Sequence, residues 1–345
     1  MNLSGRLISK FGINIILFII VLSCTKKQPF HFAGETMGTT YSIIIADSMV
    51  KPALINATKI KVDDLLALVN KEMSTYDPNS EIGLFNSKRD SQPVTVSPDF
   101  IKVLKLSQVI YRESNGAFDP TVGPLVDLWG FGKEGSRYTP PSDAEIKERQ
   151  KYVGFNLIKF IDDTMIQKLQ PEIQLDLSAI AKGFGVDRVV DLLMSMGYSN
   201  FMVEIGGEVV VKGQKKSGKW RIGIDRPYFD AVPGKNLEAI LEISDEGVAT
   251  SGDYRNYFVS EDKTYSHEID PVTGRPIVNG VASVTIIAPN CMLADAMATA
   301  IMIMGKEKGM NWVKSKDNVE AFIIMRTDKG YEEIFSPGFK KYLTN

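Results

Sequence analysis

Apolar positions along the chain fall into two registers. Thr39 to Ala46 alternates and is rich in β-branched residues, which predicts a strand. Pro52 to Met73 has helical spacing at Ile55, Ile60, Leu65, Leu66 and Val69, with proline tolerated in the first turn. A second helix of the same kind is predicted over Pro98 to Ser114. Ser97 caps it, Pro98 opens it, and Phe100, Val103, Leu104 and Ile110 share one face. Asn115-Gly116 then stops it. Residues 116–141 are rich in Gly, Pro and aromatics and predict a long irregular segment, of the kind that is often functional when ordered.

Leu157 to Leu169 reads as a hairpin turning at Asp162-Asp163. Ile173 to Leu177 reads as a strand running into a helix from Ser178 to Met196. Short strands interrupted by Gly, Asp and Pro fill 201–288. Helices are predicted over Met292–Met304, ended by Gly305, and Lys306–Lys314, with strands at Val319–Met325 and Tyr331–Phe335. Strands cluster and rarely alternate with helices, so the fold class expected is α+β with largely antiparallel sheet. No repeat or low-complexity linker divides 30–345, which reads as a single domain.

The first 23 residues stand apart. Arg6 and Lys10 precede an apolar run of 12 residues, Phe11 to Leu22, too short to span a bilayer comfortably. That is the shape of a secretory signal, with a signal anchor as the other reading. The run ends Val21-Leu22-Ser23-Cys24, similar to the bacterial lipobox in which Cys24 is lipidated. Residues 24–29 then form a short tether.

Composition narrows the chemistry. The 345 residues hold 40 Lys and Arg against 42 Asp and Glu, a net charge of −2. Leaving out Arg6 and Lys10 takes the bases to 38 and the net charge to −4. That balance argues against nucleic-acid binding, which favours a basic excess. Two His and two Cys exclude a three-histidine zinc site and a disulfide framework, so metal chemistry must use hard oxygen ligands. Once Cys24 is set aside, Cys291 is a lone thiol, safest when buried.

Three constellations could carry chemistry. Asp176 to Gly185 (DLSAIAKGFG) delivers Asp176 and Ser178 to a helix start, where amides and the dipole favour an anion; Lys182 would add a point charge. The same residues also read as a serine cap, an exposed lysine and small packing residues. In Ala294–Ala300, Asp295 and Thr299 share a helix face and form a sparse oxygen site suited to Mg²⁺. The plainer alternative is a first-turn acid and a Thr bonded to its own backbone. In Tyr265–Pro276, His267 and Asp270 precede a turn, and His267 is the natural neutral-pH base; an edge-strand His with a turn Asp is equally compatible. Two Gly-rich pieces, Glu204-Ile-Gly-Gly-Glu and Ala249-Thr-Ser-Gly-Asp-Tyr, read as bulges or turns, or as close backbone surfaces for a ring or phosphate. His31 reads as simply exposed.

Eight blocks in chain order carry a resemblance. They are Thr36–Tyr41, Met73–Ile82, Gly116–Leu125, Asp176–Gly183, Glu204–Glu208, Thr250–Tyr254, His267–Pro276 and Ala294–Ala300. Together they resemble the ApbE-type FAD:protein FMN transferases over nearly all of residues 30–340. The resemblance implies an enzyme that binds FAD with Mg²⁺, cleaves the pyrophosphate and joins FMN to a Ser or Thr of another protein. It implies FAD contacts from Met37, Tyr76, Ala117, Phe118, Asp119, Asp176, Lys182, Ser251 and Gly252. Metal ligation would come from the Ala179 carbonyl, Asp295 and Thr299, and catalysis from His267 and Asp270. Acceptors would be membrane redox subunits of the Nqr or Rnf type, facing a lipid-anchored enzyme on the periplasmic side of the inner membrane. Hydrolysis of FAD to FMN and AMP, or FAD binding by a non-catalytic lipoprotein, are the competing expectations.

Overall fold

The computed structural model describes residues 29–47, 52–133, 135–229, 232 and 234–344. The signal expected over 1–23, Cys24 and most of the tether lie outside the described residues. Eight strands form one antiparallel sheet in which spatial order follows chain order. They are β1 (Phe30–Thr36), β2 (Thr39–Ile45), β3 (Phe201–Ile205), β4 (Glu208–Lys212), β5 (Gly247–Gly252), β6 (Val281–Ala288), β7 (Glu320–Thr327) and β8 (Gly330–Phe335). Two-residue turns close β1–β2 and β3–β4. Met37 and Gly38 (φ 50 and 71) make the first, Gly206 and Gly207 (φ 60 and 105) the second. Left-handed backbone at both positions matches the twist of a hairpin.

The helices are α1 (Pro52–Met73), α2 (Glu81–Ser87), α3 (Pro98–Glu113), α4 (Gly123–Leu128), α5 (Asp143–Gln150), α6 (Ala181–Ser195), α7 (Cys291–Met304) and α8 (Lys306–Lys314). Ser97 caps α3 as expected, its hydroxyl accepting from Phe100 N–H at 3.1 Å. Asn115 and Gly116 leave α3 with φ of 52 and 82. β6 is buried at all 8 positions because both of its faces are covered. Val284 and Ile286 face a core shared with α3, α6 and α7. Ile287 faces a second core, closed by Trp220, Leu241 and Ile243 of the hairpin Trp220–Asp225/Leu237–Ile243. α7 is alanine-rich because it lies between sheet and helices, with Ala294, Ala296, Ala298 and Ala300 fully covered. Each fully buried Ile or Met in this layer contributes about 2 kcal/mol. The α+β, antiparallel expectation is met.

Two local expectations fail at the same place. Ile173–Leu177 is extended but joins no strand ladder, and α6 starts at Ala181 rather than Ser178. The alternation at Ile173, Leu175 and Leu177 buries those side chains as a strand would. Their backbone, however, is held by a side chain. The Asn86 amide donates to Leu175 O at 2.8 Å and accepts from Leu175 N–H at 2.7 Å, while Asp176 N–H donates to Pro120 O at 2.7 Å. Ser178 bonds back to Asp176 rather than capping the helix. The irregular stretch 116–141 is also less irregular than expected, since it contains α4. The region after it holds the expected hairpin, with strands Ile158–Phe160 and Met165–Lys168.

Candidate active site

A cavity of about 360 Å³ opens where the C-terminal end of β5, the start of α6, one face of α7 and the segment after α3 meet. Thirteen of the residues singled out above line it: Tyr76, Ala117, Phe118, Asp119, Asp176, Ser178, Ala179, Lys182, Ser251, Gly252, His267, Asp295 and Thr299. They come from positions up to 223 apart, so only the tertiary fold assembles them.

Asp295 is the hub. Its Oδ2 accepts Gly183 N–H at 2.9 Å, a first-turn amide of α6 that has no carbonyl partner within the helix. Its Oδ1 lies 4.0 Å from the Lys182 ammonium, which pairs more tightly with Glu208 Oε1 at 2.8 Å. Burial works against the Lys182 charge, but Asp295 and Glu208 outweigh it and raise the ammonium above its ordinary range. Glu208 is 3% exposed and leaves Oε2 without a hydrogen-bond partner. Burial lifts its carboxyl to about 7 against the pull of Lys182. One turn beyond Asp295, the Thr299 hydroxyl meets the Ser251 hydroxyl at 3.1 Å. Thr299 therefore reaches across to β5 and is not confined to its own backbone.

The same cavity is lined by His267, directly after the hairpin Tyr257–Ser260/Lys263–Ser266. Stacked rings hold that hairpin down: Trp129 lies 5.6 Å from Tyr265 and 6.5 Å from Phe258, and Phe131 packs edge-on to His267. The Trp129 indole N–H donates to Gly274 O at 2.8 Å, tying the same wall to the Asp270–Gly274 turn. Glu268, buried and on the cavity wall, comes within 3.7 Å of His267 Nε2. Burial raises its carboxyl, with His267 pulling the other way.

Several expected groups take other duties. Asp270 is off the lining; its Oδ1 accepts from Val272 N–H at 2.9 Å and its carbonyl from Gly274 N–H at 2.8 Å, which closes the turn. Met37 is also off the lining, packed against Gly185 in the β1–β2 turn. The Asp119 carboxylate faces inward, accepting from Thr121 N–H and hydroxyl and from Phe155 N–H, and burial raises it to about 6. Sequence reasoning missed Glu208, Arg255, Asn256 and Glu268 on the lining. Glu208 and Glu268 stood within quoted blocks, but their burial has no local signal.

Among the described residues, no group of three or more His, Cys, Asp and Glu side chains is arranged as a metal site. The donors here are of another kind: one carboxylate, the hydroxyls of Ser251 and Thr299, and the Ala179 carbonyl. Such a set fits a hard cation that takes its remaining ligands from water and phosphate.

Residues 37–323 match the ApbE family along their whole length. The chain belongs to the ApbE family. A relative from Vibrio cholerae named FAD:protein FMN transferase is 42% identical over 330 residues, covering 94% of this chain and 96% of the relative. The solved flavin transferase ApbE from Vibrio cholerae superposes with a TM-score of 0.82 at 42% identity, covering 92% of this chain and 99% of that one. The apo form of the Pseudomonas stutzeri flavinyl transferase ApbE gives 0.82 at 33% identity, over 91% and 96%. As an ApbE-family chain this molecule is similar, over more than 90% of its length, to enzymes whose names state a flavin transfer.

Proposed function

We propose that this chain transfers FMN from FAD to a Ser or Thr hydroxyl of an acceptor protein and releases AMP. The observation that carries this reading is the lining of one cavity by both His267 and the Lys182–Asp295–Thr299 cluster. In the transfer, the acceptor oxygen bonds to the FMN phosphorus, and the bond from that phosphorus to the bridging oxygen breaks. The hydroxyl proton passes to His267 Nε2, and the AMP phosphate leaves with the bridging oxygen. His267 is preferred to Asp270 as base because Asp270 is committed to its own turn. Lys182 supplies fixed positive charge beside the phosphates, while Ser178 and Ala179 shape the backbone approach to α6.

Asp295, Thr299 and the Ala179 carbonyl would hold Mg²⁺. When bound there, the ion supplies Lewis-acid neutralisation of the pyrophosphate charge. The sparse oxygen set described above supports this. Tyr76, exposed at the rim, and Ala117 to Asp119 would border the flavin nucleotide.

Lipidation of Cys24 and residence on the periplasmic side of the inner membrane belong to the same proposal, supported by the signal-like first 23 residues. Acceptors would then be membrane redox subunits of the Nqr or Rnf type. No described helix is long and apolar enough to cross a membrane. The test is incubation with FAD, Mg²⁺ and a candidate acceptor subunit, followed by mass spectrometry. Gain of one FMN, less water, on a Ser or Thr supports the transfer. Free FMN and AMP with an unmodified acceptor would assign FAD hydrolysis instead, and FAD retained without turnover would assign a binding protein.

A further inference from the structure

One oxygen takes up the Nδ1 side of His267. Its Nδ1 lies 3.1 Å from the Asn256 carbonyl oxygen, and its backbone N–H donates to the same oxygen at 3.1 Å. A carbonyl oxygen only accepts, so Nδ1 carries the proton and, in the neutral ring, Nε2 keeps the lone pair. The position of Asn256 therefore decides which nitrogen can act as a base.

Asn256 ends a short crossing, Asp253–Asn256, that begins where β5 stops at Gly252. The start of that crossing is clamped. Asp253 N–H donates to Ala282 O at 3.2 Å, and both Asp253 oxygens accept from Arg326 of β7, at 2.7 and 3.0 Å. The Arg326 guanidinium lies 4.8 Å from the Phe229 ring centroid and 6.0 Å from that of Tyr331, and its own backbone N–H donates to Gly280 O at 2.7 Å. A planar fork between two rings and a carboxylate has few alternative placements, and a lysine could not reproduce it.

We propose that the Arg326–Asp253 pair is a positioning device that sets the Asp253–Asn256 crossing and so presents His267 as its Nδ1–H tautomer, Nε2 facing the acceptor hydroxyl. The proposal rests on the reading of His267 as the base. Neither Arg326 nor Asp253 lines the cavity, so each acts through the backbone.

The chain holds only 2 histidines, which makes the tautomer directly observable. Long-range ¹H–¹⁵N spectra of the full chain, taken about two pH units above the ordinary imidazole value of ~6.5, separate the two forms; His31→Gln assigns the second ring. The wild type is expected to show a protonated Nδ1 and an unprotonated Nε2 at His267. Arg326→Met and Asp253→Asn are expected to give mixed tautomers. Their kcat for FMN transfer should fall on the order of 10- to 100-fold, with KM for FAD within about twofold. Arg326→Lys, which keeps the charge without the fork, should fall between. A wild-type ring protonated at Nε2 overturns the proposal. So does an unchanged tautomer with unchanged kcat in folded Asp253→Asn, the milder variant should Arg326→Met not fold. Full transfer by His267→Ala, alongside a tautomer that still responds to Asp253→Asn, removes the base reading and leaves the clamp standing.

Discussion

Asp187 and Asp295 cap each other's helices. Asp295, in the second turn of α7, accepts Gly183 N–H in the first turn of α6 at 2.9 Å. Asp187, in the second turn of α6, accepts the first two amides of α7, Cys291 and Met292, each at 2.9 Å. Helix starts leave such amides unpaired and carry the positive end of the dipole, so both carboxylates stabilise the partner helix. Burial nevertheless raises Asp187 to about 6, against the two amide bonds. The exchange fixes the register of α6 against α7, and with it the spacing of Lys182, Asp295 and Thr299.

Close helix approach depends on Gly183. A Cβ there would sit 2.4 Å from Cys291 O and 2.8 Å from Asp295 Cβ. Gly183→Ala is expected to destabilise the fold by about 1–3 kcal/mol through overpacking. Transfer activity should drop further than the folded fraction does. Thermal melts paired with transfer assays below the transition check this; activity that follows the folded fraction alone contradicts the link.

Asp295 variants separate the two duties of its carboxylate. Asp295→Asn keeps an oxygen for Gly183 N–H, so stability should change little while the magnesium response of transfer is lost. Asp295→Ala also leaves that amide unpaired, which costs a further ~1–3 kcal/mol. Transfer as a function of Mg²⁺ concentration, alongside urea melts, distinguishes them. An unaltered magnesium response in either variant removes Asp295 as a ligand.

Asn86 holds the segment that carries Asp176. Asn86→Ala deletes both bonds to Leu175 and strands its buried N–H and C=O, for about 2 kcal/mol of stability. Asp176 should then lose its fixed place on the cavity wall. KM for FAD is expected to rise several-fold with a smaller change in kcat, measured by steady-state kinetics on the folded variant.

Glu72 sets a pH dependence. Burial, then the neighbouring Asp99 charge, raise its carboxyl to about 7, and Oε2 has no hydrogen-bond partner. A carboxyl raised by folding binds its proton more tightly in the native state. Its contribution is full below the unfolded value near 4.5 and is lost as pH climbs to about 7. Glu72→Gln keeps the shape without the charge, so it should stabilise the chain at pH 8, on the order of 1 kcal/mol. The gap to wild type should close by about pH 5. Urea melts at the two pH values decide the matter, and equal gains at both would contradict this account.

Much of the local structure was legible without coordinates. The α1 and α3 starts, the Asn115-Gly116 stop, the Gly305 break and the strands β2, β7 and β8 follow from apolar period and cap residues acting over a few neighbours. Ile173–Leu177 shows where that signal misleads. Its alternation is real and its side chains are buried, but an asparagine 89 positions away takes the place of a neighbouring strand.

The sequence by itself determined most element types, the scarcity of His and Cys that leaves only oxygen donors for a cation, and the ordered blocks that mark the family. Only the tertiary structure decided which residues act together. It turned Asp119 toward Thr121 and Phe155 and Asp270 toward its own turn, buried Glu208 and Glu268 on the cavity wall, and set Asp295 against Gly183 across 112 positions. Periodicity reports which face of an element is apolar. It does not report which long-range partner satisfies a buried polar group, and that pairing is what builds the site.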